Sequence, residues 1–397
     1  MLTTEKSPAL RLASRMNTLG TETAFEVLAK ARELERQGRT IVHLEIGEPD
    51  FATPSHIIED AVNHLRAGRT HYGPSAGLPE TREAIARYVS ETRGVTVGAD
   101  RVVVTPGAKP IMFFTILALI EEGDEVIYPN PGFPIYESAI EFFGGTPVPV
   151  PLREENDFRL DIEELMSLVS DRTKMIIINS PQNPTGGILT RSDLKAIGQL
   201  AVERDIYVLA DEIYSRIVYD GEFESILHSV PEALDRVILL DGMSKTFAMT
   251  GWRLGWGVMR PDLAAAVARL QTNSNSCTAT FSQLVIPSAL FGPQDTVETM
   301  KSEFMRRRDS IVDGLNSIDG ITCRKPAGAF YVFPNIKSLG MTSKRVADRI
   351  LQEAGVAALA GTSFGKYGEG YLRFSYANSI ENIQLGVQQL KAWVSRL

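Results

Sequence analysis

From about residue 100 the chain repeats one pattern, a short apolar burst followed by a longer stretch with helical spacing. The bursts are Val102–Thr105, Glu125–Tyr128, Thr146–Val150, Lys174–Asn179, Ile206–Asp211, Val237–Asp241 and Trp256–Met259. They are apolar throughout rather than alternating, as strands read when helices cover both faces of a sheet. Strand–helix alternation of this kind predicts an α/β fold with a mostly parallel sheet. Thr190 opens one of the helices with a Thr-x-x-Asp capping box ending at Asp193.

Around this centre the texture differs. Arg11–Gln37 carries helical spacing and stops at Gly38, a C-cap candidate. After about residue 295 a charged helix is predicted over Met300–Leu315, with Arg306, Arg307 and Arg308 on a solvated face. Short strands near Phe330–Phe333 and Tyr371–Tyr376 follow, with helices over Ser343–Ala354 and Ile380–Leu397. This reads as a smaller α+β unit.

Composition removes several function classes. The chain has 397 residues, with 41 Lys and Arg against 49 Asp and Glu, and a net charge of −8. An acidic chain argues against general nucleic-acid binding, which needs clustered Lys and Arg. Cys277 and Cys323 stand far apart, which argues against a disulfide scaffold or a cysteine zinc site and fits a reducing, cytoplasmic setting. The five histidines form no H-x-x-x-H pair, so no metal is expected. Met1–Pro8 has no apolar leader, and Ile111–Ile120 covers about half a membrane span and reads as a buried core helix. Gly361–Tyr367 is one residue short of a P-loop and ends in Tyr rather than Ser or Thr.

Ligands of open α/β sheets sit beyond the carboxyl ends of the strands. The residues just past the bursts are Gly107-Ala108-Lys109, Asn183-Pro184, Asp211 with Tyr214, and Ser244-Lys245 followed by Arg253. Each has a plain alternative. Gly107-Ala108 is a tight turn, Asn183-Pro184 an Asx-Pro turn, Asp211 a helix N-cap, Ser244-Lys245 an exposed loop and Arg253 a surface ion pair. Together they meet one chemical need, that of pyridoxal phosphate. The cofactor wants a lysine amine for its aldehyde carbon and an acid against its pyridine nitrogen. It also wants donors at its phenolate oxygen and a cradle for its phosphate. Lys245 supplies the amine and Asp211 the acid, while Asn183 and Tyr214 supply ring-oxygen donors. Gly107 and Ala108 open a helix whose free N–H groups suit a phosphate, joined by Ser244 and Arg253.

The strings "GEPDF", "HYGPSAGLPETREAIA", "SPQNPTGG", "DEIY", "SKTFAMTGWRLGW" and "YLRFSYA" resemble class I aminotransferases of fold type I, closest to the bacterial aspartate aminotransferase subgroup. The similarity runs from about Arg11 to Leu397. It implies a large domain over residues 46–295, built on a seven-stranded, mostly parallel sheet covered by helices. It also implies a small α+β domain made of residues 1–45 and 296–397. Phe133 falls where the family stacks an aromatic ring on the cofactor, and Tyr72 where it reaches the phosphate of a neighbouring subunit, which implies a homodimer. Arg373 falls where the substrate α-carboxylate is gripped bidentately, helped by Asn183 and the Gly47 N–H. Ping-pong transamination between an amino acid and a 2-oxo acid follows, with Lys245 as general base and acid.

Lys109 occupies the position that contacts a distal carboxylate in related enzymes, which favours aspartate or glutamate; its alternative role is to support the phosphate loop. Glu22 lies in a stretch that helps hold that carboxylate in relatives and would repel it unless turned outward or paired with Lys109. Aromatic, neutral and basic amino acids therefore stay open, as does a pyridoxal-phosphate lyase or cyclase on the same fold. A ligand-sensing domain of a transcription regulator would need a helix-turn-helix segment, and the aminotransferase pattern begins almost at the N-terminus.

Overall fold

The structure, a computed structural model, describes residues 10–397. Met1–Pro8, where the lack of an apolar leader was read, lies outside the described residues.

The seven bursts form one sheet. Its strands are β1 (Val102–Thr105), β2 (Glu125–Asn130), β3 (Thr146–Pro151), β4 (Thr173–Asn179), β5 (Tyr207–Asp211), β6 (Val237–Gly242) and β7 (Gly255–Val258). The spatial order is β1-β7-β6-β5-β4-β2-β3. Only β7 runs antiparallel, against both β1 and β6. Alternate residues feed two cores. Val103, Ile177, Leu209 and Leu240 pack into one, and Val102, Val104, Ile176, Val208 and Leu239 into the other. Burying apolar area on both faces is what lets the strand ends hold polar groups away from water. The edge strand β3 departs from the expectation. Thr146 is exposed and Pro147, Val148 and Pro149 are half-buried, because Pro147, Pro149 and Pro151 donate no ladder bond and suit an edge.

The helix Lys109–Leu119 buries Ile111, Met112, Phe114 and Ile116. No helix among the described residues is long and apolar enough to cross a membrane. The Thr190 box forms as read, with Thr190 N–H on Asp193 Oδ2 at 2.8 Å and Asp193 N–H on Thr190 Oγ1 at 3.3 Å. The first helix starts at Thr23, not near Arg11, and Ser14–Asn17 is a single 3-10 turn. Gly38 follows the helix at φ +86°, as a C-terminal glycine should. The charged helix extends over Asp295–Asn316.

The arginine triplet on that helix is the clearest correction. Only Arg306 lies on the surface. Arg307 is buried, donating to Asp50 Oδ1 at 2.6 Å and Glu303 Oε1 at 2.9 Å. Arg308 is buried against Asp309, Asp220 and the Pro326 carbonyl. Successive helical positions face about 100° apart, so three adjacent arginines cannot share one face. Arg307 ties the "GEPDF" segment to this helix.

Val42–His43 pairs in parallel with Val356–Ala357. Leu359–Ala360, Leu372–Ser375 and Tyr331–Val332 form a three-stranded sheet. Ser343–Arg349 is α-helical and closes with a π turn over Ile350–Ala354.

Candidate active site

Five strand ends open on a single cavity of about 520 Å³. Ala108 and Lys109 follow β1, Phe133 follows β2, Asn183 follows β4, Asp211 closes β5, and Ser244 and Lys245 follow β6. Gly47, Tyr214, Arg253 and Arg373 complete the wall. Every residue singled out from the sequence lines the cavity except Gly107, one position back, and Tyr72. The Tyr72 side chain is 90% exposed and outside this cavity.

Asp211 is not a helix N-cap, since a turn follows it. Its Oδ1 accepts from the Ile213 N–H at 3.2 Å and its Oδ2 from Tyr136 Oη at 2.6 Å. Burial pushes its carboxyl up to about 6, against the pull of those two donors. Lys245 is not in an exposed loop. Its amine donates to the Gly47 carbonyl at 2.5 Å, and burial lowers its pKa to about 8. An acid and an amine, each pushed toward its neutral form inside one cleft, mark a site of chemistry.

Arg373 is buried. Nη1 donates to Asn183 Oδ1 at 3.2 Å and Nη2 to the Glu45 carbonyl at 2.5 Å. The guanidinium lies 4.5 Å from the Tyr331 ring centroid and 4.9 Å from that of Phe364. Nε is buried without an acceptor among the described residues. A buried guanidinium donor left open asks for an anion. Asn183, its oxygen used by Arg373, keeps its NH₂ as a donor, and its own N–H is held by Asn179 Oδ1 at 2.9 Å.

Gly107 takes φ +89°, and a Cβ there would sit 2.1 Å from Arg253 Nη2. A Cβ on Gly255 would sit 2.3 Å from the Ala108 nitrogen. These two glycines let the backbone, the Arg253 guanidinium and the first N–H groups of Lys109–Leu119 crowd together. Arg253 is not in a surface ion pair; it donates to the Thr250 carbonyl at 2.8 Å and the Pro106 carbonyl at 3.4 Å. At the cavity rim Lys109 forms an ion pair with Glu22 and lies 5.4 Å from the Phe133 centroid.

Residues 39–390 match the family "Aminotransferase class I and II". The chain belongs to that family. It is 41% identical over 356 residues to an aspartate aminotransferase of Pyrococcus abyssi, covering 89% of this chain and 91% of the relative. It is 40% identical over 387 residues to a probable aspartate/prephenate aminotransferase of Aquifex aeolicus, covering 96% and 98%. The structure of aspartate aminotransferase from Thermus thermophilus with maleate superposes with a TM-score of 0.93 at 36% identity, covering 97% of this chain and all of that one. The protein is thus a fold type I aminotransferase that uses pyridoxal phosphate.

The residues of the aminotransferase fit that cofactor. The cavity offers a half-buried amine and a buried carboxyl, and the Gly107–Arg253 cradle crowds donors where a phosphate needs them. Sequence reasoning missed Tyr136, Tyr331 and Asn179. Tyr136 stands three residues past Phe133 and holds Asp211. Tyr331 meets Tyr214 hydroxyl to hydroxyl at 2.8 Å and stacks under Arg373. Nothing in the local pattern of Phe330–Phe333 signalled this, because its apolar character alone satisfied a strand reading.

Proposed function

We propose that this aminotransferase moves an amino group between L-aspartate, or a related dicarboxylic amino acid, and 2-oxoglutarate in two half-reactions. One observation carries the reading: buried Asp211 and Arg373 and half-buried Lys245 surround the same cavity, with Lys109 at its rim. Pyridoxal phosphate, when bound, supplies an aldehyde that captures the amino nitrogen and a ring that draws electrons from the adjacent carbon.

This chain's residues do the rest. Asp211 would hold the ring N–H, with Tyr136 fixing its carboxylate. Asn183 and Tyr214 would donate to the ring oxygen, and Tyr331 can donate to Tyr214 in turn. Phe133 would pack on the ring. Gly107, Ala108, Lys109, Ser244 and Arg253 would hold the phosphate. Arg373, Asn183 and the Gly47 N–H would hold the substrate α-carboxylate in the cavity that Lys245 lines. Lys245 Nζ, with its pKa lowered by burial, would take the Cα proton and then, as an ammonium, deliver it to the carbon on the other side of the amino nitrogen, serving as base and acid. Replacing Arg373 by lysine keeps the charge but loses the fork. KM for both substrates should rise about 100-fold with a smaller change in kcat, by steady-state kinetics.

Side-chain choice rests on Lys109, and the Glu22–Lys109 ion pair favours a second reading. A distal carboxylate must displace Glu22, whereas an aromatic or neutral side chain need not. Both groups are partly exposed, so the pair is worth about 1 kcal/mol at most. Glu22→Gln should therefore lower KM for aspartate roughly fivefold and leave phenylalanine unchanged. Initial rates with aspartate, phenylalanine, alanine and arginine against 2-oxoglutarate decide the donor. Release of pyruvate and ammonia in place of a keto acid would mark a lyase.

We also propose a cytoplasmic homodimer, in keeping with two free cysteines and with an exposed Tyr72 that does not line its own cavity. The two-domain division, residues 46–295 against residues 1–45 with 296–397, is supported by the pairing of Val42–His43 with Val356–Ala357.

A further inference from the structure

A second buried charge cluster lies next to the cavity, and none of the steps above uses it. Asp211 and Leu240 line the cavity, while the residues that follow them, Glu212 and Asp241, both turn to Arg93. Arg93 ends the helix Pro79–Arg93, which Gly94 terminates at φ +67°. Each of its three guanidinium nitrogens donates a hydrogen bond. Nε donates to Glu212 Oε2 at 2.9 Å, Nη2 to Asp241 Oδ2 at 3.2 Å and Nη1 to Thr92 Oγ1 at 2.9 Å. The two carboxylates have further donors of their own. Ser225 Oγ donates to Glu212 Oε1 at 2.6 Å and the Gly242 N–H to Asp241 Oδ1 at 2.7 Å. All three charged side chains are at most 5% exposed.

The placement of this bridge gives it a role. β5 and β6 pair in parallel up to Asp211 and Leu240, and the last main-chain bond between them runs from the Glu212 N–H to the Leu240 carbonyl at 2.9 Å. Beyond it the two chains part. One enters the turn carrying Tyr214, the other the short helix Met243–Thr246 carrying Lys245. Arg93 continues the tie where the ladder stops. A guanidinium can reach two carboxylates at once through fixed, planar donors, and an ammonium cannot do so with the same geometry.

We propose that Arg93 is a positioning residue for transamination: by bridging Glu212 to Asp241 it fixes the strand end bearing Asp211 relative to the one bearing Lys245. The proposal rests on the reading of Asp211 and Lys245 given above. One guanidinium faces two buried carboxylates, so removing it alone strands their charge, and Arg93→Met is expected to fold poorly. The deciding variant is therefore the uncharged set Arg93→Met, Glu212→Gln and Asp241→Asn, which leaves no buried charge behind.

Three readouts on the cofactor-loaded triple variant test the proposal. Misplacement of a reacting group by a fraction of an ångström costs roughly 10–100-fold in rate, so kcat should fall by about that factor while KM, set by Arg373, changes less than about threefold. Visible circular dichroism of the bound cofactor should change. Amide hydrogen exchange should quicken in residues 212–215 and 242–246 while the rest of the sheet stays protected. Arg93→Lys, which keeps charge and one link, should fall between wild type and the triple variant. A folded triple variant with wild-type kcat, dichroism and exchange overturns the proposal. So does a uniform rise in exchange with a matching loss of melting temperature, which marks a merely structural role. The underlying reading fails separately, if Lys245→Ala stays active.

Discussion

Replacing Lys245 by alanine is expected to reduce transamination by at least about 10⁴-fold, some 5–6 kcal/mol of transition-state stabilisation. Among the described residues no other amine is placed to take over. Lys109 is paired with Glu22 at the rim, and Arg253 and Arg373 are guanidiniums that hold their protons. The variant should still fold, because the lost side chain was half-exposed to the cavity and its one protein acceptor, the Gly47 carbonyl, can turn to water there. It should also lose the visible absorption that marks covalently held cofactor. Stopped-flow and steady-state rates with added exogenous amines check the assignment, since a small primary amine should restore part of the proton transfer.

Asp211→Asn is expected to move activity and stability in opposite directions. Activity should drop about 10³-fold or more, because an amide cannot hold the ring nitrogen protonated. The cofactor-free protein should gain stability. Burial raises the Asp211 carboxyl from 3.8 to about 6. The group therefore stabilises the fold fully only below about pH 4, and that contribution is lost as pH rises through about 6. At pH 7.5 the cofactor-free wild type carries a buried charge worth on the order of 2 kcal/mol of destabilisation, and asparagine removes it. Asparagine keeps both contacts: its oxygen can accept from the Ile213 N–H, and its NH₂ can donate to Tyr136. Differential scanning calorimetry of the two cofactor-free proteins should show the variant melting higher at pH 7.5 and the gap closing toward pH 4. With cofactor loaded, the order should reverse.

The large sheet was legible because its strands are apolar on both faces, a pattern that helices do not produce in runs so short. The polar residues just past Val102–Thr105, Lys174–Asn179, Ile206–Asp211 and Val237–Asp241 were legible for a related reason: parallel strands deliver their ends to one side. Three features were not. Thr146–Pro151 carries the same apolar run as a central strand, and only its prolines mark it as an edge. Arg306–Arg308 looked like solvated charge, because nothing local shows that Asp50 and Asp220 arrive to pair with two of them. Arg93 is one arginine at the end of an amphipathic helix, and its partners lie 119 and 148 residues away. Long-range charge pairing leaves no period in a sequence. Glu22 was the reverse case. Its sequence position raised a conflict, and the ion pair with Lys109 shows how the fold resolves it.

The central claim is that Lys245 is the amine that carries the cofactor and shuttles the proton. Borohydride reduction of the loaded enzyme followed by peptide mapping tests it most directly. The pyridoxyl mass should appear on the peptide containing Ser244-Lys245-Thr246 and on no other, and should vanish from that peptide after preincubation with an amino donor. A label on the Lys109 peptide, or on none in a fully active enzyme, would contradict the account.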